Sequence, residues 1–494
     1  MTRALTAAPL ASLSFAAVLA LTAIAVRNGL AADDALRLWA GASTAADGQV
    51  SIGKIVAGYP TLPFWTATLV AWLAPAGTPA PALVAAGLFA LLAAFCFLAF
   101  RKAGFAYLSA AAMAALIAFH PALLRAVITG PADMFLSVFL LLLCLALYDL
   151  RARSGTSEVM AVGLALMALA FSHPIGAAFA FAAVPFLAFA VPPQLVANSA
   201  LNLVIALIFP TLFTIAAFTY VSWVFPGDGW SFFAAPAESL SLWTAGVAPV
   251  LGNGVSGFVT IDACVAMAAA IAIGAPVAIV LLVLVRQRRP LVLPAFVFVA
   301  AAIAATAISV SSGVFGEPTA IVVVSPVLAA TALIRVPLAR ERASAIIVLL
   351  ALGWLGGLCS LALIDPMGVN RLNTAFEHGA SVRLDAVAAG GASIGHDGVL
   401  ADTANAPALV LGRGRARGIL GPDSEPFALA MLFSRIDTPF IAVPDPQSTA
   451  GANDRLNRAF PSLFREGVNG YRLIYQNNTW HLFGRIKDLT AQDQ

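Results

Sequence analysis

Apolar runs long enough to cross a bilayer recur through the first 364 residues of this chain, and they narrow its fold before any motif is read. A helix needs about 20 apolar residues to span the hydrocarbon core, where only helices and closed barrels satisfy their own backbone groups. The run from Ala7 to Val26 has that length. Its basic start and the small residues before Asp33 also suit a secretory leader, but many further spans follow, so it reads as an uncleaved first helix. Further spans are expected near 80–100, 105–122, 132–150, 157–172, 174–191, 197–224, 258–285, 291–312, 318–334 and 344–364, about 11 in all with the first. Between them "TLPFWTATLVAWLAP" is too short and Pro-bounded for a full span, and its aromatics suit the bilayer interface. Charged residues make up only 10% of the chain and mean hydropathy is +0.93, whereas a soluble domain carries about 25% charge. A net charge of +3, with its basic residues scattered, points away from nucleic acid. The four cysteines all lie in apolar segments, without the spacing of a metal site or a disulfide framework.

Basic residues fix the expected orientation. Arg3, Arg101, Lys102, Arg151, Arg153, Arg286, Arg288, Arg289, Arg335, Arg340 and Arg342 fall on one side of this topology. Only Arg27, Arg37, Lys54 and Arg125 fall on the other. Such an excess marks the cytoplasmic face. The N-terminus is therefore expected inside, and the loop over 27–63 and the C-terminal tail outside.

From Asp365 the composition changes. The last 130 residues hold 12 of the 27 Lys/Arg and 13 of the 24 Asp/Glu. Here "PALVLG" (407–412) and "PFIAVP" (439–444) read as short buried strands around a helix in "EPFALAMLFSRI". "NDRLNRAFPSLFREG" reads as another helix, and "YRLIYQNNTWHLFGRI" as a hairpin turning at Asn477-Asn478. The expected architecture is thus a polytopic α-helical membrane domain, 1–364, and a small α/β domain, 365–494.

Chemistry-bearing residues gather in the outer loops. Asp33 and Asp34 stand where a short helix starts, with Arg37 one turn on. A bland reading makes Asp33 a helix cap and pairs both acids with Arg37. The functional reading makes one carboxylate a general base, since a partly desolvated carboxylate has a raised pKa. The second loop, "FHPALLRAVITGPADMF", carries His120, Arg125 and Asp133, and ionisable groups at membrane depth face the protein interior. His173-Pro174 reads first as a helix-end turn. The "GRGRARG" run (412–418) lacks the spacing of a dinucleotide fingerprint, and Asn477-Asn478-Thr479 fits a glycosylation sequon as well as a turn.

The order of first helix, loop opening on "ADDALRLWA" and return through "YPTLPFW" resembles the GT-C superfamily of membrane glycosyltransferases. It looks most like the bacterial relatives of the protein O-mannosyltransferases and the lipid A aminoarabinose transferase. "HPALLRAVITGPADMFLSVFLLLL" resembles that family's Arg…Asp stretch, and Asp33-Asp34 stands where its members carry Asp-Glu. The likeness covers about the first 190 residues. It implies a GT-C-like catalytic domain in the bacterial inner membrane, with the C-terminal domain periplasmic. The implied reaction moves a sugar, with inversion, from a polyprenyl-phosphate donor to a hydroxyl of a glycolipid, glycan or protein. Asp33 would be the base beside Asp34. Arg125, Lys54 and Arg37 would meet the leaving phosphate, with Tyr59, Asp133 and His173 lining the substrate site. No metal ligand set is evident, and because relatives differ in metal use a divalent cation stays open. Two other classes suit the same composition: a transporter or flippase, which would want polar residues near the midplane and broken helices, and a non-catalytic membrane scaffold.

Overall fold

The computed structural model describes residues 2–27, 33–48, 58–75, 77–224, 258–336, 342–365, 381–422 and 424–487. It is a polytopic helical membrane protein with a small C-terminal sheet. Two compact units make it up. One comprises Met1–Thr22, Val56–Pro63 and Ala85–Leu372; the other comprises Ala23–Ile55, Phe64–Val84 and Asn373–Gln494.

The helices begin with α1 (Thr2–Arg27), α2 (Asp33–Ala46), α3 (Thr61–Leu73) and α4 (Ala80–Lys102). Then come α5 (Tyr107–Ala118), α6 (Pro121–Thr129), α7 (Pro131–Arg153), α8 (Thr156–Ser172), α9 (Pro174–Ala190) and α10 (Pro193–Val224). The membrane series closes with α11 (Val259–Gly274), α12 (Pro276–Leu284), α13 (Arg289–Ser312), α14 (Val324–Arg335) and α15 (Ala343–Ile364). Among the described residues, 7 helices are long and apolar enough to cross a membrane, or up to 9 if two bent pairs each count as one span. Nine of the about 11 expected spans coincide with these; the two expected at 157–172 and 174–191 fall on α8 and α9, apolar helices of only 17 residues each, and three others are not simple. The run over 105–122 breaks between α5 and α6 with a 54° bend, and that over 258–285 breaks between α11 and α12 with an 80° bend. The span expected at 318–334 opens with a 3-10 turn over Pro318–Val323. Proline explains each break: Pro121, Pro276 and Pro318 stand at the first position of a new segment, where a missing N–H costs nothing.

Helix α7 carries charge at both ends and none between. Asp149 near its C-terminus pairs with Arg335 of α14 and, more loosely, with Arg153. Asp133 stands in its first turn. Sixteen residues of helix separate the two aspartates, about 24 Å at 1.5 Å per residue, which is most of a hydrocarbon core.

The second unit holds a five-stranded sheet. Its strands are β1 (Val399–Leu400), β2 (Ile419–Leu420), β3 (Phe440–Pro444), β4 (Tyr471–Gln476) and β5 (Trp480–Arg485), in the order β2-β1-β3-β5-β4. The first three are parallel, and β5 runs antiparallel to β3 and β4. Alternation sorts the sheet's two faces. Val399, Phe440, Ala442, Trp480 and Leu482 pack with Leu409 and Val410 on one side, and Leu400, Ile441, Val443 and Phe483 pack with Phe427 and Ala430 on the other.

Residues 407–412 correct one expectation: a helix over Ala408–Arg413 stands where a strand was expected. A six-residue apolar run fits a buried strand and a buried helical turn equally. Gly414, left-handed at φ +74°, closes it as a helix. Two short helices, Arg455–Ala459 and Leu463–Glu466, replace the single one expected over 453–467. The hairpin at Asn477 stands as expected. Its side-chain oxygen accepts from the N–H groups of Thr479 and Trp480, and its amide donates to Asp385 O.

Helix α2 belongs to this unit. Leu36 and Ala40 are buried with the sheet core, while Asp34 and Arg37 are exposed. At the helix's end Asp47 Oδ2 accepts the backbone N–H groups of Ala416 and Arg417 at 3.0 and 2.9 Å. The "GRGRARG" turn is therefore a nest for a carboxylate of its own chain. Its Arg413 turns inward, donating to the carbonyls of Ser393 and His396 and pairing with Asp397.

Asp454 caps the Arg455–Ala459 helix, accepting from Asn457 N–H at 2.8 Å, and is fully buried. Burial, helped by the nearby Asp402 charge, pushes its carboxyl from the ordinary 3.8 up to about 7. The folded state thus resists ionising a group that ionises freely once unfolded. This site costs nothing below about pH 4, and its penalty grows to on the order of 4 kcal/mol as pH rises through 7. Melting of the wild type against Asp454→Asn across that window should converge at the acid end and diverge at neutral pH, with the variant the more stable. Parallel curves would refute the assignment.

Candidate functional site

Where α6, α7, α9 and the end of α15 meet, the membrane unit gathers one cluster of polar and charged groups. Gly130 makes the turn: at φ +134°, ψ −171° it occupies a region essentially reserved for glycine. Pro131 then starts α7, which sets Asp133 in the first turn, where the helix dipole favours an anion. Arg125 lies eight residues back on α6. Its Nη1 donates to Asp133 Oδ2 at 3.0 Å, and its Nε donates to Asp365 Oδ2 at 2.9 Å, just past α15. Asp133 is 3% exposed. Nη2 is the guanidinium nitrogen that neither carboxylate uses. We expect Gly130→Ala to cost about 1–3 kcal/mol, read as a lowered melting temperature in detergent; an unchanged melt would refute the backbone account.

His173 completes the cluster. Its Nδ1 accepts from Ile175 N–H at 3.0 Å, so the proton sits on Nε2, which lies 3.1 Å from Asp133 Oδ1. Both oxygens of Asp133 are thus engaged, which makes it a hub between Arg125 and His173 rather than a free base. Tyr59, whose peptide bond to Pro60 is cis, docks nearby. Its hydroxyl donates at 3.0 Å to the carbonyl of Ala170, three residues before His173, and its ring meets Phe218 edge-on. It satisfies one of the carbonyls that the end of α8 leaves open.

The other His-Pro pair repeats the device. His120 Nδ1 accepts from Ala122 N–H to cap α6, and Nε2 lies 3.2 Å from Gly353 O in α15. A Cβ on Gly357 would sit 2.6 Å from this ring, so only glycine admits it there. Around His120 the two helix breaks converge on a cavity of about 10 Å³ lined by Gly274, Pro276, Val277 and Gly353. That is the room one water needs.

Of the residues singled out from sequence, the structure joins Arg125, Asp133 and His173 in one network, with Tyr59 at its edge. Asp34 and Arg37 lie exposed on α2 in the other unit, and Asp33 opens that helix. The side chain of Asp33 and the whole of Lys54 lie outside the described residues. Asp365 was missed, because a carboxylate at the end of the last apolar run reads as the start of a soluble domain. Among the described residues no group of three or more His, Cys, Asp or Glu is placed to hold a metal. No family model, curated protein or solved structure matches the chain.

Proposed function

We propose that this protein is an inverting glycosyltransferase that draws on a polyprenyl-phosphate sugar at the outer face of a bacterial inner membrane. One observation carries the reading: α2 buries its apolar side against the sheet and leaves Asp34 and Arg37 exposed, directly after the first membrane helix. An acidic helix anchored in this way has the rigidity a base needs. In the proposed step an acceptor hydroxyl oxygen attacks the anomeric carbon while the bond from that carbon to the phosphate oxygen breaks. The hydroxyl proton passes to Asp33, with Asp34 as its neighbour. The electron pair leaves on polyprenyl phosphate, whose growing charge needs a cation. Arg125 can offer Nη2 without breaking either carboxylate bond, and Arg37 and Lys54 are the other candidates. The apolar helices accommodate the prenyl tail, a divalent ion remains compatible with the step, and glycolipid, glycan and protein acceptors all supply the hydroxyl.

The two bent helix pairs favour a second reading, since interrupted helices mark transporter sites. The space between them holds only one water. One experiment separates the two. Purified protein in nanodiscs, given a labelled polyprenyl-phosphate sugar and a panel of acceptors, should release polyprenyl phosphate and form a glycoside of inverted configuration. Absence of turnover together with flux of the labelled lipid in proteoliposomes would replace the transferase by a transporter.

A further inference from the structure

The C-terminal sheet contains a polar junction with no part in glycosyl transfer. Its parallel strands run in the order β2-β1-β3. The chain leaves β1 towards β2 and returns past it to β3, with Leu409 and Val410 covering one face and Phe427 and Ala430 the other. The gap between β1 and β3 is therefore a topological switch point, and open α/β sheets bind ligands beyond the carboxyl ends of their strands at such a point.

Asp402 follows β1 by two residues, and Asp454 and Asn457 come from the connection that leaves β3. They are 1%, 0% and 7% exposed. Asp402 Oδ2 accepts from Arg455 N–H at 3.0 Å and from Asn405 Nδ2 at 2.7 Å, and Asn405 also donates to Asn453 O, which ties the two loops together. Asp454 Oδ1 accepts from Asn457 N–H, and Asn457 Nδ2 donates to Pro444 O. That bond fixes the amide's orientation. Three oxygens remain buried with no hydrogen-bond partner: Asp402 Oδ1, Asp454 Oδ2 and Asn457 Oδ1. Leaving buried acceptors unmet is costly, and these three belong to neighbouring groups: the Asp402 charge acts on Asp454, which in turn accepts from Asn457 N–H. The nearest cation, Arg455 Nε, lies 3.9 Å from the other oxygen of Asp402 on a half-exposed side chain.

We propose that Asp402, Asp454 and Asn457 hold a divalent cation of the hard, oxygen-seeking kind at the carboxyl edge of this sheet. Two carboxylates balance its charge, the amide adds a neutral oxygen, and water fills the remaining positions, as in flexible calcium sites. With so few protein ligands the affinity belongs with weak extracellular modules, a Kd on the order of 10⁻⁴–10⁻³ M.

The test uses the full chain in detergent, stripped with EDTA and titrated with Mn²⁺ at about pH 8, where carboxylate ligands are ionised. Free Mn²⁺ is followed by its paramagnetic resonance signal, and Ca²⁺ and Mg²⁺ are added as competitors. One saturable site, displaced by Ca²⁺, is expected. Asp402→Asn and Asp454→Asn should each weaken it by about tenfold or more, while Asp397→Asn, in the same unit, should leave it unchanged. Asparagine caps a helix as well as aspartate, so Asp454→Asn keeps the local fold and should raise the melting temperature of the cation-free protein while losing the cation-induced rise. No saturable uptake by the wild type would overturn the proposal, and so would an unchanged Kd in Asp454→Asn.

Discussion

Asp33→Asn is expected to reduce sugar transfer by about 10²- to 10⁴-fold, the contribution of a positioned general base, with expression and melting behaviour unchanged. Asparagine matches aspartate in size and at the start of a helix, and the hold on α2 comes from Leu36, Ala40 and Asp47 rather than from the acidic pair. The fold should survive while the proton acceptor is lost. Asp34→Asn should cost less, because a neighbour that orients the base leaves it in place. Turnover is read as glycoside formed per folded protein in nanodiscs. Full activity in Asp33→Asn would sink the mechanism. A deeper loss in Asp34→Asn would exchange the two roles.

Arg125→Ala carries the second large effect, with two separable parts. Removing the guanidinium withdraws the cation that Asp133 and Asp365 share, and breaking a buried pair such as Arg125–Asp133 costs about 3–5 kcal/mol. If Nη2 also meets the leaving phosphate, turnover per folded molecule should fall by a further 10²- to 10³-fold, as when one preorganised donor is lost elsewhere. Lys54→Ala should show a smaller loss of turnover and no comparable change in melting. Pairing Arg125→Ala with Asp365→Asn isolates the chemistry, because the double variant removes one of the two negative charges that Arg125 bridges. Turnover recovering along with stability would make Arg125 a strut. Equal, small effects of Arg125 and Lys54 would argue against its meeting the phosphate.

Much of this fold was legible because lipid imposes one period and one length. Helices such as α7 and α15 fall within a few residues of the apolar runs that announce them. What escaped depends on distance or brevity. Arg125 and Asp133 were visible as a pair in one loop, but Asp365, 240 residues from Arg125, acquires its role only when α15 returns to α6. The strands β1 and β2 span two residues each, too few for any alternation to register. His173-Pro174 does make the helix-end turn its sequence suggests. That its other nitrogen would reach Asp133 needed α7 and α9 side by side.

The cluster around Arg125 also implies an order of biogenesis. Arg125 and Asp133 are eight residues apart, so they can neutralise each other within a single emerging hairpin, before any later helix exists. His173 joins once α9 has been made, and Asp365 arrives only as α15 clears the insertion machinery. Each addition meets a group already waiting in the membrane. The last carboxylate ties the α6–α7 hairpin to the end of α15, so a chain truncated before Asp365 leaves Arg125 with one carboxylate partner fewer.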